Sequence, residues 1–79
     1  MEIRVGDKFI FHSSDGIGYG LVVENINDHR PPDEKYAVTS SGPAGVYPDF
    51  LFYGDDFFEI WKERLEYVGN VNDDYEEEV

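Results

Sequence analysis

The sequence contains no cysteine, so neither a disulfide nor a thiolate metal site can hold the fold. Bases are also scarce, since six Lys and Arg stand against 18 Asp and Glu and give a net charge of −12. No apolar run approaches the roughly 20 residues that span a bilayer, and no basic stretch precedes an apolar run near the start. These absences predict a soluble, cytoplasmic protein that is stabilised by apolar burial alone.

The 79 residues are enough for one domain, and six Phe, six Tyr and one Trp can supply its core. Residues 72–78 are almost entirely acidic and cannot bury enough apolar surface to become ordered. We therefore expect a single β-rich domain over residues 1–69, followed by a flexible acidic tail over residues 70–79.

The charge is unevenly distributed along the chain. Residues 1–48 hold seven acids and four bases, whereas residues 49–79 hold 11 acids and two bases. Such a field repels nucleic-acid phosphates and anionic membranes and attracts basic surfaces. The expected partner is a basic protein, with no direct binding to nucleic acid or to a membrane.

Alternating apolar residues and turn signals predict several short strands. Two clusters rich in Ser, Gly and Pro, at residues 13–16 and 41–45, should be turns, and the two prolines of residues 27–34 indicate an exposed loop. The predicted strands cover residues 3–11 with a kink at Gly6 and Asp7, then residues 18–26, 35–40, 46–53 and 66–68.

A late helix is predicted from about residue 56 to residue 65. Gly54 ends the preceding strand, Asp55 or Asp56 can cap the helix, and Glu59 lies three residues after Asp56 as in a capping box. The stripe expected to pack on the sheet is Phe57, Ile60, Trp61, Arg64 and Leu65. The predicted fold class is mainly β, a strongly bent antiparallel sheet or small barrel of four to five strands with one late helix.

Three stretches resemble the frame of SH3-like barrels, including small phage-encoded domains. They are Val5-Gly6-Asp7-Lys8-Phe9 before a strand, the glycine-rich start of residues 18–26, and the closing Leu65-Glu66-Tyr67-Val68. The resemblance implies a barrel fold. A ten-residue helix before the last strand departs from the commonest SH3-like pattern, in which a short 3₁₀ turn occupies that place.

No catalytic, cofactor-binding or metal-binding motif is complete. The glycines of residues 16–20 lack the following helix or Lys-Ser/Thr that a phosphate loop needs, and His12 and His29 have no ligands at metal spacing. Asp55, Asp56 and Glu59 lack a calcium-binding loop. We predict a protein that is not an enzyme and needs neither cofactor nor metal.

The first functional hypothesis rests on the acidic residues of positions 49–79. Glu59 and Glu63 would stack one helical turn apart at about 5–6 Å, a scale comparable to successive DNA phosphates, so a phosphate-mimicking surface could modulate or inhibit a DNA- or RNA-handling protein. The predicted partner-binding residues are Asp49, Asp55, Asp56, Glu59, Glu63, Glu66, Asp73 and Asp74. A merely solvated acidic face remains the alternative reading of these residues.

The second hypothesis is an SH3-like adaptor that recognises a peptide or protein through an aromatic groove. Tyr and Trp are common anchors of such sites. The candidate residues are Tyr19, Tyr36, Tyr47 and Tyr53, with Tyr67 as a further exposed aromatic. An exposed sheet edge near residues 35–40 could also support a dimer, which would be a third form of association.

Overall fold

A computed structural model describes residues 2–72, which form one six-stranded antiparallel sheet and one short helix. Two 3₁₀ turns, Pro32–Glu34 and Lys62–Arg64, lie before the third and the last strand. The main elements are β1 (Asp7–His12), β2 (Gly18–Ile26), β3 (Tyr36–Gly42), β4 (Gly45–Val46), β5 (Leu51–Tyr53), α1 (Asp55–Ile60) and β6 (Leu65–Asn70). No helix within this part of the chain has the length and apolar character needed to cross a bilayer.

The sheet is open. Its strand order is β4-β3-β2-β1-β6. Strand β5 also pairs with β3, on the same edge of β3 as β4. Within residues 2–72, the two ends of the sheet are not paired with each other. The prediction of a mainly β fold is confirmed. The alternative of a closed barrel is wrong for the described residues, and the sheet has six strands instead of four to five.

The extra strand arises because the predicted strand over residues 46–53 is interrupted. Tyr47 still donates its N–H to the carbonyl of Ser40 at 2.8 Å. Pro48 has no N–H to continue this ladder, and the chain bends before Leu51 pairs with Val38.

The core lies on one face of the sheet and under the helix. Phe9 of β1 is opposite Leu21 of β2, and Val23 is opposite Val38 of β3, so alternate residues of three strands point to the same side. Phe58 from α1 covers them, with its ring centroid 5.6 Å from that of Phe9. The buried cluster comprises Ile3, Phe9, Leu21, Val23, Tyr36, Val38 and Phe58.

The helix is shorter than the predicted residues 56–65. Its N-cap is Gly54 instead of the predicted Asp55 or Asp56, so the predicted position of the cap and its capping box is wrong, and the helix ends at Ile60 before the 3₁₀ turn. The predicted apolar stripe is only partly confirmed, because Phe57 and Leu65 pack against the core, whereas Phe58 is the buried residue of the helix and Ile60 is 70% exposed. Beyond the helix, Trp61 contacts Phe11 of β1 with ring centroids 5.7 Å apart, and Leu65 packs against the core from the first position of β6.

A buried polar cluster joins the two ends of the described chain. Asp7 is 2% exposed and accepts hydrogen bonds from the Arg4 backbone N–H at 2.8 Å, from Asn70 Nδ2 at 2.8 Å and from the Tyr67 hydroxyl at 3.3 Å. Asn70 Nδ2 also donates to the carbonyl of Val5 at 3.1 Å. Asn70, which the sequence assigned to the tail, is therefore a buried residue of β6.

Candidate partner-binding surfaces

Asp55, a predicted contact residue, is engaged within the domain. The hydroxyl of the buried Tyr36 donates to its Oδ1, and Lys35 Nζ lies 3.6 Å from its Oδ2. The hydrogen bond from Tyr36, reinforced by the Lys35 charge, lowers the pKa of Asp55. These contacts connect the start of α1 to β3, which gives this carboxylate a structural role.

Glu66 also has an internal partner. Its Oε1 lies 2.9 Å from His12 Nε2, and both side chains are largely exposed. The pair bridges the neighbouring strands β6 and β1. The Glu66 carboxylate, which was predicted to contact a partner, thus pairs with a side chain of the domain itself.

Glu59 and Glu63 do not stack on one helix. The helix ends at Ile60, between the two residues, and Glu63 lies in the following 3₁₀ turn. The predicted helical spacing of these carboxylates is therefore wrong. Asp49 is exposed in the bend before β5, while Asp73 and Asp74 lie outside the described residues.

Two of the predicted acids, Asp55 and Asp56, lie with Asp33 at one recess, where the helix start meets the 3₁₀ turn before β3. The recess has a volume of about 260 Å³ and is lined by Pro32, Asp33, Asp55 and Asp56. Gly54 permits this approach, since a Cβ there would lie 2.3 Å from the Pro32 carbonyl oxygen. Asp33 was not among the predicted site residues, because its partners are about 20 residues further along the chain.

The four candidate tyrosines have different environments. Tyr36 is 4% exposed, so it belongs to the core and cannot contribute to an exposed aromatic surface as predicted. The Tyr53 ring stacks on Phe57 with centroids 3.8 Å apart, and burial raises the pKa of its hydroxyl. Tyr19 is half-buried and Tyr47 is 52% exposed, and these two contribute to the same concavity.

This concavity, which we call the outer groove, lies between the end of the β1–β2 turn and the segment that carries β4. Its volume is about 440 Å³, and no charged side chain of residues 2–72 lines it. The lining residues are Ile17, Tyr19, Ser40, Ser41, Gly42, Pro43, Ala44, Gly45, Val46, Tyr47 and Pro48. Val46, at 75% exposure, and Tyr47 leave apolar surface open to solvent.

A second concavity, the inner pocket, adjoins the outer groove. Its volume is about 200 Å³, and its lining is Phe11, Tyr19, Leu21, Ser40, Leu51, Tyr53 and Phe57. Tyr19 and Ser40 line both spaces. The alternation of residues along a strand is enough to predict that Phe11 lies on the same face as Phe9. The proximity of Phe11 to Phe57 is not predictable in this way, because it depends on how α1 folds back over the sheet.

Within residues 2–72, no group of three or more His, Cys, Asp or Glu side chains is arranged to hold a metal ion. Comparisons with protein-family models, with curated proteins and with solved structures find no match to this chain.

Proposed function

We propose that this is a non-enzymatic binding protein whose outer groove takes an apolar segment of a basic partner protein. The observation that carries the proposal is the lining of the groove, which combines exposed apolar residues with two tyrosines and holds no charged side chain from residues 2–72. Concave, mostly apolar sites with a few polar groups are typical of ligand recognition. Tyrosine supplies contact area at low conformational cost.

The net charge of −12 supports a basic partner. A field of this sign accelerates the approach of cationic molecules and repels anionic ones, while the apolar groove supplies short-range affinity. Attraction by exposed charges is weakened by salt, whereas contact within the groove is weakened much less. The two contributions can therefore be separated experimentally.

The test is selection from a random peptide library displayed on phage, followed by binding measurements with one synthetic selected peptide at about 50 mM and about 300 mM salt. We expect the selected peptides to combine apolar and basic residues. Tyr47→Ser should weaken binding about tenfold or more at both salts, since loss of an aromatic anchor costs more than 1 kcal/mol. Ile60→Ala, on the exposed helix end away from the groove, is the matched control and should bind normally. Selected peptides that bind Tyr47→Ser as well as wild type would contradict the proposal.

A second candidate function is modulation or inhibition of a nucleic-acid-handling protein by a phosphate-mimicking acidic surface. It is supported by the recess at which Asp33, Asp55 and Asp56 converge. Short duplex DNA should then compete for a basic protein retained from a lysate, and Asp33→Asn with Asp56→Asn should reduce retention at low salt. If the double variant retains the basic protein and Tyr47→Ser does not, the result would instead support binding through the outer groove.

The SH3-like resemblance is retained as a proposal about the fold. It is supported by the position of β1 between β2 and β6, and by the 3₁₀ turn Lys62–Arg64 immediately before the last described strand. This turn occupies the place where the sequence analysis had expected a departure from the SH3-like pattern. Because folds host many functions, the resemblance by itself carries no activity.

A further inference from the structure

The Tyr19 side chain lies between the outer groove and the inner pocket. It lines both spaces, and its ring lies against the backbone of Gly42. A Cβ at Gly42 would lie 2.9 Å from Tyr19 Cδ1 and 3.0 Å from Cε1, closer than carbon atoms normally approach. The position of the ring therefore depends on the absence of a side chain at residue 42.

We propose that the inner pocket receives one apolar side chain from a segment seated in the outer groove, and that Tyr19, positioned by Gly42, determines which side chain fits. This inference rests on the proposed function. The occupant is an extended segment of another protein, with an aliphatic or aromatic residue flanked by Lys or Arg.

The lining of the inner pocket favours an apolar anchor. Its rings come from β1, β2, β5 and α1, and Leu21 at its base is 5% exposed. Among residues 2–72, the polar groups that line it are the Ser40 hydroxyl and two tyrosine hydroxyls, with no carboxylate that could neutralise a buried cation. Anchors that fill such desolvated pockets usually contribute most of the affinity of an interface.

Charge complementarity argues for basic residues beside the anchor. Asp49 is exposed and directly follows Pro48, a lining residue of the outer groove. Asp15 lies near the other side, where its carboxylate accepts the Ile17 N–H at 3.1 Å. A second copy of this chain would bring another net charge of −12 to the same surface, so a cationic segment of a different protein is the better match.

The test uses the synthetic peptide selected on wild type and a variant in which its anchor residue is replaced by Ala. Leu51→Trp should fill the inner pocket, because Leu51 lines that pocket and not the outer groove. We expect each change alone to weaken binding at least tenfold, measured by fluorescence anisotropy. We also expect the two losses not to add, because both remove the same contact.

Gly42→Ala examines the positioning of Tyr19. The added methyl group should displace the ring, so selection on this variant should yield a different anchor side chain with the same basic flanks. Ile60→Ala should yield the wild-type anchor. Thermal unfolding of each variant establishes that it is folded, and the anchor-to-Ala peptide tests the contact on unaltered protein.

The possible outcomes separate the two proposals. If Tyr47→Ser abolishes binding while Leu51→Trp and the anchor-to-Ala peptide bind as tightly as their parents, the inner-pocket inference is overturned and the proposed function stands. If no selected peptide depends on Tyr47, both fail. An unchanged anchor preference in folded Gly42→Ala would overturn the role of Tyr19 alone.

Discussion

Gly54→Ala tests the contact that holds α1 against the 3₁₀ turn before β3. The backbone at Gly54 has φ −103° and ψ −176°, an extended conformation that any residue adopts. The obstacle is space, because an added Cβ would lie 2.3 Å from the Pro32 carbonyl oxygen and 2.8 Å from Asp33 Cα. Both neighbours are backbone atoms, so the helix start and the turn must move apart.

The expected cost follows from two effects. Overpacking of this kind costs about 1–3 kcal/mol, and Ala is a poorer helix N-cap than Gly by roughly 0.5–1 kcal/mol. We expect a loss of about 2–3 kcal/mol, from a free energy of unfolding that is about 4–12 kcal/mol for a domain of this size. The corresponding fall in Tm is about 10–20 °C.

Urea and thermal unfolding, followed by circular dichroism, measure this loss. Gly54→Ser separates the two effects, because Ser supplies a capping oxygen but adds the same Cβ, and we expect it to be nearly as destabilising as Ala. Gly16→Ala is the opposite control: its φ is +88°, no described atom lies within 4 Å of the added Cβ, and backbone strain alone should cost about 1–2 kcal/mol. A Gly54→Ala variant within about 0.5 kcal/mol of wild type would refute the steric argument.

Two further predictions concern polar groups. The pKa of Asp55 is lower in the folded protein than its ordinary value, so its ionised form stabilises the fold above about pH 4, and this contribution disappears as the pH falls through the folded pKa. Asp55→Asn should therefore lower Tm more near pH 7 than in acid, where the carboxyl becomes protonated, and a Tm difference independent of pH would contradict this. Asn70→Ala removes the donor shared by Asp7 and Val5, so we expect a loss of about 1–3 kcal/mol in urea unfolding. Exposed Ser14→Ala should stay near wild type, and an Asn70→Ala variant as stable as this control would show that the buried cluster contributes little.

Local sequence patterns predicted the elements whose partners are near in the chain. The strand over residues 18–26 is confirmed at both ends, because alternation and the turn at residues 13–16 define it locally. Pro48 could have indicated the break between β4 and β5 from its missing N–H. The helix end was not predictable in this way, since the apolar spacing continues to Leu65, which packs against the core as a residue of β6 and not of a helix.

The candidate surfaces were less predictable than the fold. The prediction of a basic partner rested on net charge, and composition cannot distinguish an acid directed at solvent from one held by Tyr36 or His12. Tyr36 looks like a surface tyrosine in the sequence, yet Phe58 covers its ring with centroids 5.1 Å apart. The inner pocket combines residues from five elements, and their convergence depends on the complete tertiary structure.

The position of β6 beside β1 also has a consequence for folding kinetics. Asp7 and Asn70 are 63 residues apart in the chain, so this end of the pairing closes a much longer loop, at a larger entropic cost, than a hairpin does. The β1–β2 hairpin needs only a short turn and should form early. Such non-local pairing places folding in the range of milliseconds to seconds. Until β6 docks, the free edge of β1 is available to other chains, so refolding at high protein concentration should favour aggregation more than refolding at low concentration does.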